Sequence, residues 1–228
     1  MIDSGHVKEL ATKLGADLCG IAPSQRFEKA PEGFKPVDVY GDCRSVIVFA
    51  KKVPHAALLA DSCIPYTHVS EIVTGEVDLL GVRLSLALEE LGIAAVPVPS
   101  DVPLEHWEAD RQYARGVLSM RHAGYLAGLG VLGKNTLLIN EKYGNMIQIG
   151  AVLANVELEP DPLATYEGCI TDCRKCIEAC TRGALDGITV NQKLCRPLSN
   201  YVNERGFTLK KCGECRKACP HRLGLRRA

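Results

Sequence analysis

Eight of the eleven cysteines in this 228-residue chain fall between Cys169 and Cys219, and no other feature restricts its fold as much. They form two groups. The first reads Cys169-x3-Cys173-x2-Cys176-x3-Cys180, the second Cys195-x16-Cys212-x2-Cys215-x3-Cys219-Pro220. Thiols at this density serve as disulfides, zinc ligands or iron–sulfur ligands. Disulfides need an oxidising compartment. Residues 1–10 carry Asp3, His6, Lys8 and Glu9 and no apolar signal core. No stretch approaches the ~18 apolar residues of a membrane span. A soluble cytoplasmic protein with no membrane partner is therefore expected, its thiols reduced and open to metal.

Four-cysteine zinc sites usually draw two ligands from each of two separated pairs. Each group here instead sets three cysteines close together, the ligand pattern of a two-cluster bacterial ferredoxin. In that arrangement the last cysteine of each group crosses to the other cluster. One [4Fe-4S] cluster then falls to Cys169, Cys173, Cys176 and Cys219, the other to Cys195, Cys212, Cys215 and Cys180. The first group departs from the pattern by one extra residue before Cys173 and by Thr181 where proline is common. Cys19, Cys43 and Cys63 share no spacing and read as small buried hydrophobes.

Net charge is zero, yet residues 1–168 balance to −8 and residues 169–228 to +8. Lys210, Lys211, Arg216, Lys217, Arg222, Arg226 and Arg227 could meet phosphates. They serve equally to offset the negative charge of thiolate-bound clusters, or to dock an acidic electron donor such as a ferredoxin or flavodoxin. Nucleic acid is the less expected partner.

Upstream, the pattern alternates. A helix over Val7–Leu14 capped by Asp3 or Ser4, strands at Leu18–Ala22 and Ser45–Ala50, and a helix from about Val69 to Leu91 are expected. An edge strand at Ile93–Val98 containing Pro97 follows, then helix from after Arg111 to about Ala127. Strands at Thr136–Asn140 and Met146–Ala154 flank a turn at Tyr143-Gly144-Asn145. This is an α+β chain: a layered α/β domain over 1–160 and a small ferredoxin-like module over 161–228, joined near Glu157–Thr165.

Gly128-Leu129-Gly130-Val131-Leu132-Gly133-Lys134-Asn135-Thr136 superficially matches G-x-G-x-x-G and nearly matches a phosphate-binding loop. Both motifs need a strand before the glycines and a helix after. Here helix precedes and strand follows, so neither applies. A tight turn able to approach a large flat ligand remains, beside the plain alternative of a helix-ending turn that only shapes the core.

Ala127–Ile139 followed by the double cysteine module resembles the epoxyqueuosine reductases, relatives of the corrinoid-dependent reductive dehalogenases. The similarity runs from Gly20-Ile21-Ala22-Pro23 to Cys219-Pro220. The resemblance implies a nitroreductase-like, corrinoid-binding N-terminal domain with cobalamin held base-off beside the nearer cluster and electrons delivered to cobalt. Gly128, Gly130, Gly133, Lys134, Asn135 and Thr136 would line that cofactor site. The family's proton-donating acid lies in Val-Asp-Thr-x-Pro; here Ala114 takes its place, with Asp110 nearby. The family's C-terminal helical repeats, which help hold transfer RNA, are absent from this sequence. Tyr66, His68, Arg121 and His122 are further polar candidates, and no catalytic residue is assigned.

Three functions are thus open. The first is an iron–sulfur oxidoreductase acting on a small molecule or a corrinoid. The second is an electron carrier with two clusters and no site of its own. The third is a zinc-stabilised binding module.

Overall fold

A computed structural model describes residues 2–225; Arg226 and Arg227 of the basic tail lie outside them. In chain order the principal elements are α1 Ser4–Lys13, β1 Leu18–Pro23, β2 Ser45–Lys52, α2 Cys63–Glu89, β3 Ala95–Val98, β4 His106–Glu108 and β5 Tyr113–Arg115. There follow α3 Met120–Leu126, β6 Val131–Leu132, β7 Leu138–Ile139 and β8 Ile147–Ala154. The cysteine-rich part adds α4 Lys175–Glu178, α5 Gln192–Ser199, β9 Tyr201–Val202, β10 Thr208–Leu209 and α6 Glu214–Lys217.

The core sheet is antiparallel throughout, in the order β1-β2-β8-β3. Every residue of Ser45–Ala50 is buried, because both faces of β2 are covered. Ile47 and Phe49 face Val7 and Ala11 of α1 and Val77, Leu80, Leu84 and Leu88 of α2. Val46, Val48 and Ala50 face Ala123, Ala127, Leu129 and Leu138. A two-sided core explains the unbroken apolar run where a one-sided antiparallel strand would alternate. Pro97 lies on β3 at the sheet edge, where its missing donor costs no ladder bond.

Asp3 caps α1, its carboxylate accepting from the His6 N–H at 2.8 Å. Helix α2 begins at Cys63, six residues before the expected start, because Ser62 accepts from the Ile64 N–H and Pro65 falls in the first turn, where it is tolerated. The helix expected from Arg111 to Ala127 is confined to Met120–Leu126. Tyr113–Arg115 instead pairs with His106–Glu108 as a hairpin, tied by Arg115 and Arg111 on the Glu108 carboxylate.

The connecting segment is stitched to the sheet. Asp161 accepts from the Ile21 N–H at 2.9 Å and from Lys8 Nζ at 2.6 Å, while Arg26 bridges the carbonyls of Leu126 and Asp161. These bonds hold the approach to the cysteine-rich part against β1.

Candidate metal centre

All eleven cysteines are free of disulfides. Of the upstream three, Cys43 is fully buried, whereas Cys19 and Cys63 are only partly buried, which corrects the expectation of full burial for those two. Burial pushes the Cys19 thiol up to about 12 and Cys43 up to about 11. Neither thiol has the thiolate character a ligand or nucleophile needs.

The other eight divide by their electrostatic neighbourhoods. Cys219 is pushed up first by burial, against the His221 N–H, and then by Cys169, Cys176 and Cys173. Cys176 is pushed up by burial and by Cys169 and Cys173. Cys215 is pushed up to about 11 by burial and by Cys195, Cys212 and Cys180, with Arg216 acting in the opposite sense. Thiols from the two sequence groups therefore neighbour one another. Cys219 sits among the early cysteines and Cys180 among the late ones. Cys169, Cys173, Cys176 and Cys219 also line one recess with Lys134, Asn135 and His221. The one-turn helices α4 and α6, which carry Cys176 and Cys215, pack on each other. Among the described residues, no three His, Cys, Asp or Glu side chains converge on a point as a single metal ion requires.

The hairpin β6–β7 follows α3, and its tip reaches both thiol groups. The Lys134 N–H donates to Cys169 Sγ at 3.4 Å, and Lys134 Nζ donates to the Cys173 carbonyl at 3.0 Å. Buried Asn135 donates through Nδ2 to the Cys215 carbonyl at 3.2 Å, while its Oδ1 accepts from the Leu137 N–H. Arg121 grips Thr136 through both its carbonyl and its hydroxyl oxygen. The surface of Arg121 is largely open, yet desolvation and the nearby Arg216 together disfavour its charge, and Cys215 and Cys195 favour it. Arg216 in turn donates to the Asn145 carbonyl. Ala184 N–H adds a donor to Cys180 Sγ at 3.2 Å. Lys134 and Arg121 thus approach the thiols from the N-terminal part, and Arg216 and the Ala184 N–H from the cysteine-rich part itself.

The loop glycines pack against the chain itself. A Cβ on Gly128 would lie 2.2 Å from the Pro162 carbonyl oxygen, and one on Gly130 would lie 2.4 Å from that of Ile139. Gly133 is closed by Ile139 and Asn135. The chain's own backbone and side chains fill the space the missing side chains leave.

Of the polar candidates, Tyr66 and Leu58 lie against Gly213 in the late cysteine loop, and Thr67 accepts from the Lys210 N–H. His68 lines a cleft on the far side of α2, and His122 meets Ser119, its charge disfavoured by burial and by Arg121. Ala114 carries no acid, but its backbone is paired to Gln192 of α5, and Lys193 donates to the Asp110 carbonyl. Sequence reasoning missed Gln192, whose contact spans 78 residues and leaves no local mark.

This fold, an antiparallel α+β layer presenting a hairpin to the cysteine-rich part, is shared with solved epoxyqueuosine reductases and reductive dehalogenases. Curated epoxyqueuosine reductases are homologues, including one from Listeria monocytogenes, 34% identical over 43% of this chain and 28% of its own length. A tetrachloroethene reductive dehalogenase from Dehalobacter restrictus is 28% identical over 86% of this chain and 32% of its own. Among solved structures, the epoxyqueuosine reductase of Streptococcus thermophilus superposes with a TM-score of 0.70 at 20% identity, covering 99% of this chain and 67% of that one. A reductive dehalogenase interpreted through B12-dependent dehalogenation gives 0.65 at 18% identity, covering 94% and 31%. The family resemblance read from the sequence is borne out. No family profile matches the chain. The chain spans about a third of the length of the curated relatives it matches. An epoxyqueuosine reductase solved with a modified tRNA-Tyr stem loop also shares the fold, with a TM-score of 0.64 at 18% identity over 96% of this chain and 64% of that one. The RNA complex is a property of that relative; the sequence makes nucleic acid the less expected partner of this chain. No described helix is long and apolar enough to cross a membrane.

Proposed function

We propose that this chain is an iron–sulfur reductase of the epoxyqueuosine reductase and reductive dehalogenase type. In this reading Cys169, Cys173, Cys176 and Cys219 hold one [4Fe-4S] cluster, and Cys180, Cys195, Cys212 and Cys215 hold the second. The observation that carries the reading is the exchange of Cys180 and Cys219 between the two thiol neighbourhoods. The donor set fits the group. Four thiols share a recess, and N–H groups point at Cys169 and Cys180. When bound, such clusters supply one-electron storage and relay. The chain's own residues do the rest. Lys134, Arg121 and Arg216 offset negative charge, and Asn135 fixes the hairpin between the quartets.

At Gly128, Gly130 and Gly133 the chain's own atoms occupy the space a side chain would take, so packing alone accounts for these glycines and no step is routed through a corrinoid. The alternative of a pure electron carrier is favoured by Ala114 at the place of the family's acid. Cobalamin added to the anaerobically reduced protein separates the two. A base-off spectrum with saturable affinity supports the reductase, and no binding supports the carrier.

Modified transfer RNA is a second substrate reading. It is supported by the RNA-bound relative and by the basic C-terminal part. Saturable binding of a tRNA stem loop that weakens steeply with salt is its test.

A further inference from the structure

Helix α2 buries one face on the sheet and leaves another uncovered. Ile64, Ile72, Leu79, Val82 and Leu86 are each 45–56% exposed. With His68 and Gly75 they mark positions 64, 68, 72, 75, 79, 82 and 86, in steps of four and three that alternate from position 68 onward. That is the stripe by which one helix packs along another at a shallow angle, and Gly75 lets backbones approach. Scattered apolar side chains on a surface need no explanation, but a continuous stripe of this kind does.

What lies beside the stripe is informative. At the N-terminal half of α2 it opens into a cleft of about 470 Å³, floored by Val69, Ile72 and Val73 and edged by His68, Lys51 and Lys52. At the C-terminal half it ends in Leu86, Glu89, Glu90 and exposed Leu91. The first end is an apolar hollow edged by Lys51 and Lys52 with Asp17 and Glu76 beside them, and the second is an acidic apolar projection. One carboxylate already answers each lysine, Glu76 for Lys51 and Asp17 for Lys52, whereas no ion pair among the described residues engages Arg83, Glu89 or Glu90.

We propose that this face binds a second copy of the chain, with the two α2 helices antiparallel about a two-fold axis near Leu79. A two-fold interface must be self-complementary, each residue meeting a counterpart that meets it in return. Placing the axis at Leu79 sets Ile72 opposite the partner copy's Leu86 and brings Leu79 against itself. Glu76 and Arg83, about 4.5 and 6 Å from the axis at 1.5 Å per residue, face each other twice across it. Glu89 and Glu90 then reach the lysine edge of the opposite cleft, and Leu91 its apolar floor. Asp78 lies nearest its own counterpart, but its carboxylate already accepts from the Ser100 N–H at 2.8 Å. One helix pair and two clefts are a small interface beside the ~800 Å² per partner of tight complexes, so the dimer is reversible in the micromolar range.

Sedimentation velocity of the anaerobically prepared protein tests this, at concentrations from about 1 to 100 µM. Twice the chain mass at the upper end and dissociation on dilution are expected. Leu79→Glu, at an exposed site, abolishes the dimer with unchanged far-UV dichroism. Arg83→Glu weakens it at least tenfold, and Glu76→Arg combined with Arg83→Glu restores it. A photo-crosslinker at position 86 joins the peptide holding Ile72 of the second copy. A monomer at every concentration, failure of the charge swap to restore the dimer, or crosslinks to another surface overturns the proposal.

Discussion

Gln192 and Ala114 are joined as if by one rung of a sheet. The Ala114 N–H donates to Gln192 Oε1 at 3.0 Å, and Gln192 Nε2 donates back to the Ala114 carbonyl at 3.1 Å. Arg196 also donates to Gln192 Oε1, at 3.0 Å, and stacks on Trp107. The hairpin at the place where the resemblance would put the family's acid is thus fastened to α5, the helix that contains Cys195. Gln192→Ala removes both rungs and is expected to cost about 1–3 kcal/mol locally. Amide exchange at Ala114 should rise, while β2 and β8 keep their protection. Unchanged exchange at Ala114 means the hairpin is held by something else.

Asn135 is buried and uses both ends of its amide. Asn135→Ala leaves the Cys215 carbonyl and the Leu137 N–H unpaired, at about 1–3 kcal/mol. Asn135→Asp keeps the acceptor but loses the donor and adds negative charge beside the thiols. It should therefore lower the anaerobic thermal midpoint further than alanine does. An aspartate variant as stable as wild type contradicts the position given to this side chain.

Cys19 provides a pH test away from the metal centre. Burial is the first cause of its rise from 9.0 to about 12, followed by the Asp161 charge, with Lys8 opposing. The folded thiol holds its proton longer than the unfolded one. Its contribution to stability is therefore complete below pH 9 and is lost as pH climbs from about 9 toward about 12. At pH 8 it carries about a thousandfold less thiolate than an unperturbed thiol. Mass spectrometry after brief iodoacetamide treatment should find Cys19 unmodified and Cys63 alkylated. Rapid alkylation of Cys19 would show that its surroundings are wetter than described.

Leu84 is fully buried between α2 and the sheet. Leu84→Ala should cost about 2–5 kcal/mol in urea unfolding with an unchanged slope, whereas truncating exposed Leu86 should cost little in the monomer. Equal effects at the two sites would contradict the assignment of the buried and open faces of α2.

The sequence reading succeeded where the determining contacts were close in sequence or strongly periodic. Residues 45–50, Gly92 after α2 and Pro97 on an edge strand each follow from local rules. The pairing of Cys180 and Cys219 with the opposite groups came from a known ligand arrangement and stands as the proposal that metal analysis tests. Tyr113–Arg115 was misread as helix because its strand partner is a three-residue segment with little strand character, and the hairpin rests on Gln192 far along the chain. The glycines at 128, 130 and 133 were legible as a turn. That Pro162 and Ile139 would fill their open sides depended on the path of the linker, which no local pattern encodes.

Metal analysis of the anaerobically purified protein tests the central claim most directly. Two [4Fe-4S] clusters on the eight cysteines predict about eight irons and eight acid-labile sulfides per chain. About half of that should remain in Cys176→Ala, which removes a ligand from one quartet only. Stoichiometric zinc with no iron, or a Cys176→Ala variant that keeps all of its iron, would contradict the account.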